Sequence, residues 1–178
     1  YEAVIRINSQ SGKGGVAYLL EKDHGLSLPR RLQIDFSRVI QKITDSTGQE
    51  IEAEEIWQVF KENYIELGDD MKYLSHSINS KSSSNGENLD LLKLKIHYKN
   101  KEILVEGEGN GPIDACIKAL SELLGISLKI SDYQQHAISS GADASAAAYI
   151  EITIKNKSFW GIGINPNTVA ASFEAIMN

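Results

Sequence analysis

Three glycines and a proline raise the first question of chemistry. In "VEGEGNGPIDACIKAL", Gly107, Gly109, Gly111 and Pro112 separate a strand-like run from an amphipathic one. A loop of this kind offers backbone N–H groups to an anion. The start of a helix carries unpaired donors and a partial positive charge, which suit a carboxylate as well as a phosphate. A dinucleotide site would need a parallel βαβ unit, a third glycine and an acidic residue about 20 residues on. Asp132 has a fitting distance from Pro112, but proline stands in place of the third glycine and the neighbouring strands read as antiparallel hairpins. Lys13, set among glycines, lacks the spacing of a nucleotide loop.

Other reactive residue types are scattered. His24, His76, His97 and His136 show no metal-ligand spacing on a helix or strand. Cys116 has no histidine beside it, and no nucleophile-elbow serine occurs. A complete active site within the chain is therefore not expected. The formal charge of −6 argues against a nucleic-acid partner. No apolar run approaches the length needed to cross a bilayer. One cysteine excludes an intrachain disulfide and fits a reducing compartment. The chain starts inside "YEAVIRIN", which reads as a strand, so a piece of a longer protein is expected.

The elements that must position these residues fall into two groups. Residues 1–68 read as a strand and three helices. A turn over Ser9–Gly14 leads to "GVAYLLEKDHG". The second helix buries Leu32, Phe36, Val39, Ile40 and Ile43, and the third buries Ile56, Val59, Phe60 and Tyr64. Residues 69–178 alternate strands and helices. The polar stretch "NSKSSSNGEN" between the first two strands reads as a long, mobile hairpin loop. In "PIDACIKALSELLG" Cys116 lies on the apolar face and reads as a packing residue. Ala142, Ala144, Ala146 and Ala148 are expected on one side of a strand.

The second group contains a repeat. G-x-G-x-x-P occurs at Gly107, Gly109 and Pro112 and again 54 residues on, at Gly161, Gly163 and Pro166. The turn Lys99–Lys101 recurs 56 residues on, at Lys155–Lys157. The expected fold class is α+β: a small helical subdomain, then two pseudo-symmetric βββα units over about 70–125 and 126–178. The two offsets imply two extra residues in the third strand of the first unit. Each proline is expected to open a helix.

With these motifs in view, the chain resembles the long form of the 2-isopropylmalate synthase family. "YEAVIRINSQSGKGGVAYLLEKDHGLSLPRRLQIDFSRVIQKITDSTG" is similar to its linker region. "EGEGNGPIDACIKALSELLG", "DYQQHAISSGADASAAAYIE" and "WGIGINPNTVAASFEAI" are similar to its leucine-sensing regulatory domain. The serine-rich loop has no counterpart. The resemblance implies a linker subdomain (1–68) and a regulatory domain (69–178) from an enzyme that condenses acetyl-CoA with 2-oxoisovalerate. In the family a metal-dependent barrel does that chemistry. This chain would then be non-catalytic, without a cofactor of its own, the divalent metal belonging to the barrel. Its partners would be L-leucine as feedback effector, a second copy of the chain, and the barrels of its own and the partner subunit, in the cytoplasm. Nucleic acid and membrane are not expected.

Carried over by motif, the leucine site comprises Gly109, Asn110, Gly111, Ile113 and Asp114 at the first helix entrance. Ile130, Asp132 and Tyr133 come from "KISDY", and Ala137, Ala144 and Ala146 from the alanine region. Ile164, Asn165 and Pro166 come from the second entrance. Helix N–H groups would take the carboxylate, Asp114 or Asp132 the ammonium, and the isoleucines and alanines the isobutyl group. Tyr1 would lie near a partner's active site. Two other readings stay open: a dimerisation scaffold without a ligand, and the regulatory domain of a citramalate or homocitrate synthase with another effector.

Overall fold

The computed structural model describes residues 6–7, 13–139 and 144–178. Tyr1 and Ala142 lie outside the described residues. The chain divides into two compact units, residues 1–66 and 67–178. No helix among the described residues is long and apolar enough to cross a membrane.

The first unit holds α1 (Lys13–His24), α2 (Arg30–Thr47) and α3 (Ala53–Phe60), the last continued by a π-helical turn over Lys61–Ile65. A two-residue antiparallel ladder joins β1 (Arg6–Ile7) to β2 (Ile51–Glu52). The expected turn over Ser9–Gly14 is corrected at its end: Lys13 and Gly14 already belong to α1, and residues 8–12 are not described. α2 buries Leu32, Phe36, Ile40 and Thr44, a strict four-residue stripe. Val39 and Ile43, expected on that stripe, are half-buried at its margin. Gly48 ends the helix in the left-handed conformation at φ 66° and donates its N–H to Thr44 O at 2.8 Å. The Tyr64 hydroxyl donates to Asp35 Oδ2 at 2.5 Å and ties the π turn to α2. Burial first, then this bond, pushes the Tyr64 phenol far above its ordinary range.

The second unit is βββα twice. β3 (Met71–Ser82), β4 (Asn88–Tyr98) and β5 (Lys101–Gly109) form one antiparallel sheet, followed by α4 (Pro112–Leu124). β6 (Lys129–Ala137), β7 (Ala146–Ile154) and β8 (Lys157–Asn165) form the other, followed by α5 (Thr168–Met177). The β4–β5 and β7–β8 turns place Lys99, Asn100, Lys155 and Asn156 at φ 47°, 65°, 48° and 65°. Two successive positive φ values make the two-residue turn whose twist matches a hairpin. β3 and β6 each carry a bulge at the same step, between Tyr73 and Ser75 and between Ile130 and Asp132. α4 and α5 pack on each other, and α5 reaches β3 of the other sheet. Leu92, Leu94, Ile96, Ile150, Phe173 and Leu120 lie in one shared core.

From β4 to α5 the repeat runs in a register of 56, with the first strands β3 and β6 offset by 57, which corrects the expectation of two extra residues in the third strand. β5 and β8 are both nine residues long. Tyr98 pairs with Lys101 and Ile154 with Lys157; Asp90 pairs with Gly109 and Ala146 with Asn165. The helix caps Gly111 and Asn167 correspond, as do the helix starts Pro112 and Thr168. Gly109 therefore corresponds to Asn165 and Gly161 to Val105, so the matched G-x-G motifs are slid by two. The structural counterpart of Gly107 is Gly163. A Cβ on Gly107 would overlap Ala115 O, and one on Gly163 would overlap Ala171 O. Both glycines let a helix lie directly on a strand.

Three local expectations change. The serine-rich loop shrinks to residues 83–87, because Ser80, Lys81 and Ser82 pair with Asp90, Leu89 and Asn88. Those residues are polar because they are exposed on an edge strand, not because the chain turns there. Pro166 does not open α5; Asn167 caps it and Thr168 begins it. Ala146 and Ala148 share a face of β7, whereas Ala144 precedes the strand.

Candidate functional site

The two helix entrances match in the spacing of their glycines and prolines, yet they differ in chemistry. At α4 the cap is Gly111, and no side chain caps the helix. The Asn110 N–H donates to Asp114 Oδ2 at 2.9 Å, and Lys118 Nζ lies 3.1 Å from the same oxygen. The Asn110 N–H, first of all, holds the Asp114 carboxyl below the usual range; burial opposes it, and Lys118 adds to the lowering. Ile113 is half-buried against the shared core. The α4 entrance is thus an uncapped helix start beside an apolar side chain.

At α5 the entrance is closed by its own side chains. Asn167 Oδ1 accepts from the Ala170 N–H at 3.0 Å. Asn165 Oδ1 accepts from the Asn167 N–H at 2.9 Å, and Asn165 Nδ2 donates to Glu174 Oε1 at 3.0 Å. Burial pushes the Glu174 carboxyl up, and the Asn165 bond opposes that. From β6, Gln135 Nε2 donates to Thr168 O at 2.8 Å, and the Tyr133 hydroxyl lies 3.0 Å from Ser172 Oγ.

The sheet register sorts the remaining candidates. Ala137, Ala146 and Asn165 form one row across β6, β7 and β8. Ile130, Tyr133 and Ala146 lie on the helix-facing side. Asp132 is paired with Glu151 on the opposite side, and its Oδ1 accepts from the Tyr133 N–H at 2.9 Å. Ile164 is paired with Ala147, so it too lies on the opposite side from Asn165. Ala144 is half-buried in the segment before β7, and Pro166 is exposed. Gly109 is buried at the end of β5, opposite Asp90. A shallow groove between β5 and α4, lined by Val105, Glu106, Ala119, Glu122 and Leu123, contains none of these candidates.

Residues that no motif signalled also surround α5. The Tyr73 hydroxyl lies 2.6 Å from His76 Nδ1, and the His76 ring packs edge-on to Phe173 with centroids 5.0 Å apart. Burial lowers the His76 pKa. The register equates His76 with Tyr133, since Leu94 and Ile150 are their partners in the two sheets. Edge strands of both units therefore lay a polar ring against the same helix. Cys116 is fully buried, and burial pushes its thiol up to about 12, which makes it a packing residue.

Comparison with known families now gives this geometry a setting. Residues 50–178 match the model of the LeuA allosteric (dimerisation) domain, and residues 1–21 match the alpha-isopropylmalate synthase post-catalytic domain-like family. A protein described as 2-isopropylmalate synthase from Parafrankia sp. (strain EAN1pec) is 46% identical over 178 residues, covering 100% of this chain and 31% of that protein. Proteins of the same description from Parvibaculum lavamentivorans and Mycobacterium leprae are 44% and 45% identical, again over 100% of this chain and over 30% and 29% of their own lengths. The chain thus spans about a third of the curated relatives it matches. With the match covering most of its length and the doubled βββα architecture beneath it, the chain belongs to the LeuA allosteric (dimerisation) domain family.

Proposed function

We propose that this chain is the leucine-sensing and self-associating region of a 2-isopropylmalate synthase. The observation that carries the reading is the family match over residues 50–178, laid on two βββα units with one open helix entrance. In this reading the remainder of the enzyme supplies a metal-dependent barrel that condenses acetyl-CoA with 2-oxoisovalerate in the cytoplasm. Leucine returns as the feedback inhibitor, and two copies of the chain associate through the second unit.

The entrances divide the work. The α4 entrance is the better candidate for the leucine carboxylate, because its first-turn N–H groups have no side-chain cap. Ile113, Tyr133, Ala137 and Ala146 are suited to the isobutyl group; full enclosure is worth about 1.5–3 kcal/mol. Asp132 and Asp114 are less equal as ammonium partners than the sequence suggested. Asp114 already holds Lys118 and the Asn110 N–H, and Asp132 faces away from Tyr133 and its row.

Titration calorimetry of the chain with leucine, isoleucine and valine, beside light scattering for its mass, tests the reading. Leucine heat from a dimer supports it. A folded dimer silent to all three amino acids leaves only the scaffold reading, and preference for isoleucine favours a sister synthase. Ala144→Phe sharpens the test, since Ala144 is outside the core strand: leucine heat is lost while the dimer persists.

A further inference from the structure

The hydrogen bonds around Asn165 close a loop. Glu174, near the end of α5, accepts from Asn165 Nδ2; Asn165 Oδ1 accepts from the Asn167 N–H; Asn167 Oδ1 accepts from the Ala170 N–H in the first turn of the same helix. The relay staples the β8–α5 connection onto the body of α5 at two levels. It also fixes which way the Asn165 amide faces, since nitrogen and oxygen are each committed. Asn165 shares a row with Ala137 and Ala146, so the relay sets one end of that row.

The other unit shows that this arrangement is not demanded by the fold. The register of 56 places Lys118 where Glu174 stands, Gly109 at Asn165 and Gly111 at Asn167. There Asp114, in the first turn of the helix, accepts from the Asn110 N–H of the connection and pairs with Lys118, and the strand end, Gly109, has no side chain to reach the body of the helix. Helix, strand and turn thus form there without a contact from the strand end to the body of the helix.

We propose that Glu174 is a positioning residue of the effector site, holding Asn165 and the β8–α5 connection in the geometry that receives the ligand. The proposal rests on the leucine-sensing reading above. Glu174 does not touch the ligand in this account; it acts through the Asn165 amide. Burial raises the carboxyl. The groups facing it are Asn165 from β8 and Tyr73 from β3, whose hydroxyl is bonded to His76. The charged carboxylate is the stronger acceptor, so the staple weakens as pH falls through the raised Glu174 value.

Calorimetric titration with L-leucine between pH 5 and 8 tests this, using the unsubstituted chain, Glu174→Leu, Glu174→Gln and Asn165→Ala. Glu174→Leu is expected to weaken leucine binding about tenfold at pH 7.5, the loss of one hydrogen bond to a charged group. Glu174→Gln keeps an acceptor and stays within about threefold. Glu174→Leu combined with Asn165→Ala is no worse than the more damaging single change, because both cut one relay. Affinity of the unsubstituted chain falls toward pH 5, and that of Glu174→Gln stays flatter. Leucine binding in the unsubstituted chain with equal affinity in Glu174→Leu overturns the proposal and leaves the sensing reading standing. No binding by the unsubstituted chain overturns both. If Glu174→Leu does not fold, the pH series decides: the same slope in the unsubstituted chain and Glu174→Gln overturns the proposal.

Discussion

The two βββα units share backbone register, turns, bulges and glycine clearances, yet the sheet faces away from their helices carry opposite chemistry, exposed in the first unit and buried in the second. On the outer side of the first sheet lie Lys93, Lys95, Leu104, Glu106 and Glu108, all exposed. Their counterparts in the second sheet are Tyr149, Glu151, Trp160, Ile162 and Ile164. Tyr149 and Ile162 are 0% exposed and Trp160 5%, against 60% for Leu104. The backbone plan is therefore set by the helix-facing positions alone: the glycines under α4 and α5 and the apolar residues of β4 and β7. The outer face is free to carry either chemistry.

The largest test of this difference lies at one pair of positions. Tyr149→Ala empties a fully buried site and also strips the hydroxyl that lies 2.7 Å from His136 Nε2. It is expected to cost about 3–5 kcal/mol. Lys93→Ala, at the same place in the first sheet, stays within about 0.5 kcal/mol. Urea denaturation of the two variants measures both, and comparable losses would end the claim that the outer faces differ.

A smaller effect tests what the units share. Gly107→Ala and Gly163→Ala each push a methyl into a helix carbonyl, so each costs about 1–3 kcal/mol. Gly111→Ala meets open space in extended backbone and stays near zero. Thermal unfolding followed by circular dichroism separates them. Unequal losses at Gly107 and Gly163 would break the 56-residue register.

Much of the architecture was legible because its cues are local. The lysine–asparagine turns, the apolar stripe of α2 and the packing role of Cys116 follow from residues whose conformational demands are met nearby. The repeat was legible too, but its register was not. Gly107 and Gly163 answer one demand, clearance for an alanine-bearing helix. Gly109 and Gly161 meet different atoms: Gly109 lies on Asp114 and Ala115, Gly161 on Ala175 and Asn178. A matched G-x-G spelling thus joined positions that differ in three dimensions. Ser80–Ser82 misled for a related reason, since serine suits an exposed edge strand as well as a turn. At the candidate site, motif spacing located both entrances but could not show that one is capped. The Glu174–Asn165 contact spans strand and helix, and its partners Tyr73 and His76 arrive from the other sheet, with no spacing to announce them.

The smallest predicted effect concerns charge at the two entrances, where the signs should be opposite. Asp114 is held below the usual carboxylate range in the folded chain. It therefore adds stability above its unfolded pKa, and that is lost as pH falls through its lower folded value. Glu174 is raised by burial, so its charged form opposes folding at neutral pH. That opposition disappears as pH falls through the raised value toward the unfolded one, and stability recovers. Asp114→Asn should thus be less stable than the unsubstituted chain at pH 7, and the gap should close below about pH 4. Glu174→Gln should be slightly more stable at pH 7, and its advantage should shrink on mild acidification. Solvent screening keeps the Asp114 difference below about 1 kcal/mol, so a pH series of unfolding midpoints is a better reading than any single value. Differences of the same sign would mean that burial at α5 and the N–H donor at α4 do not act oppositely on charge. The contrast between the entrances would then rest on capping geometry alone.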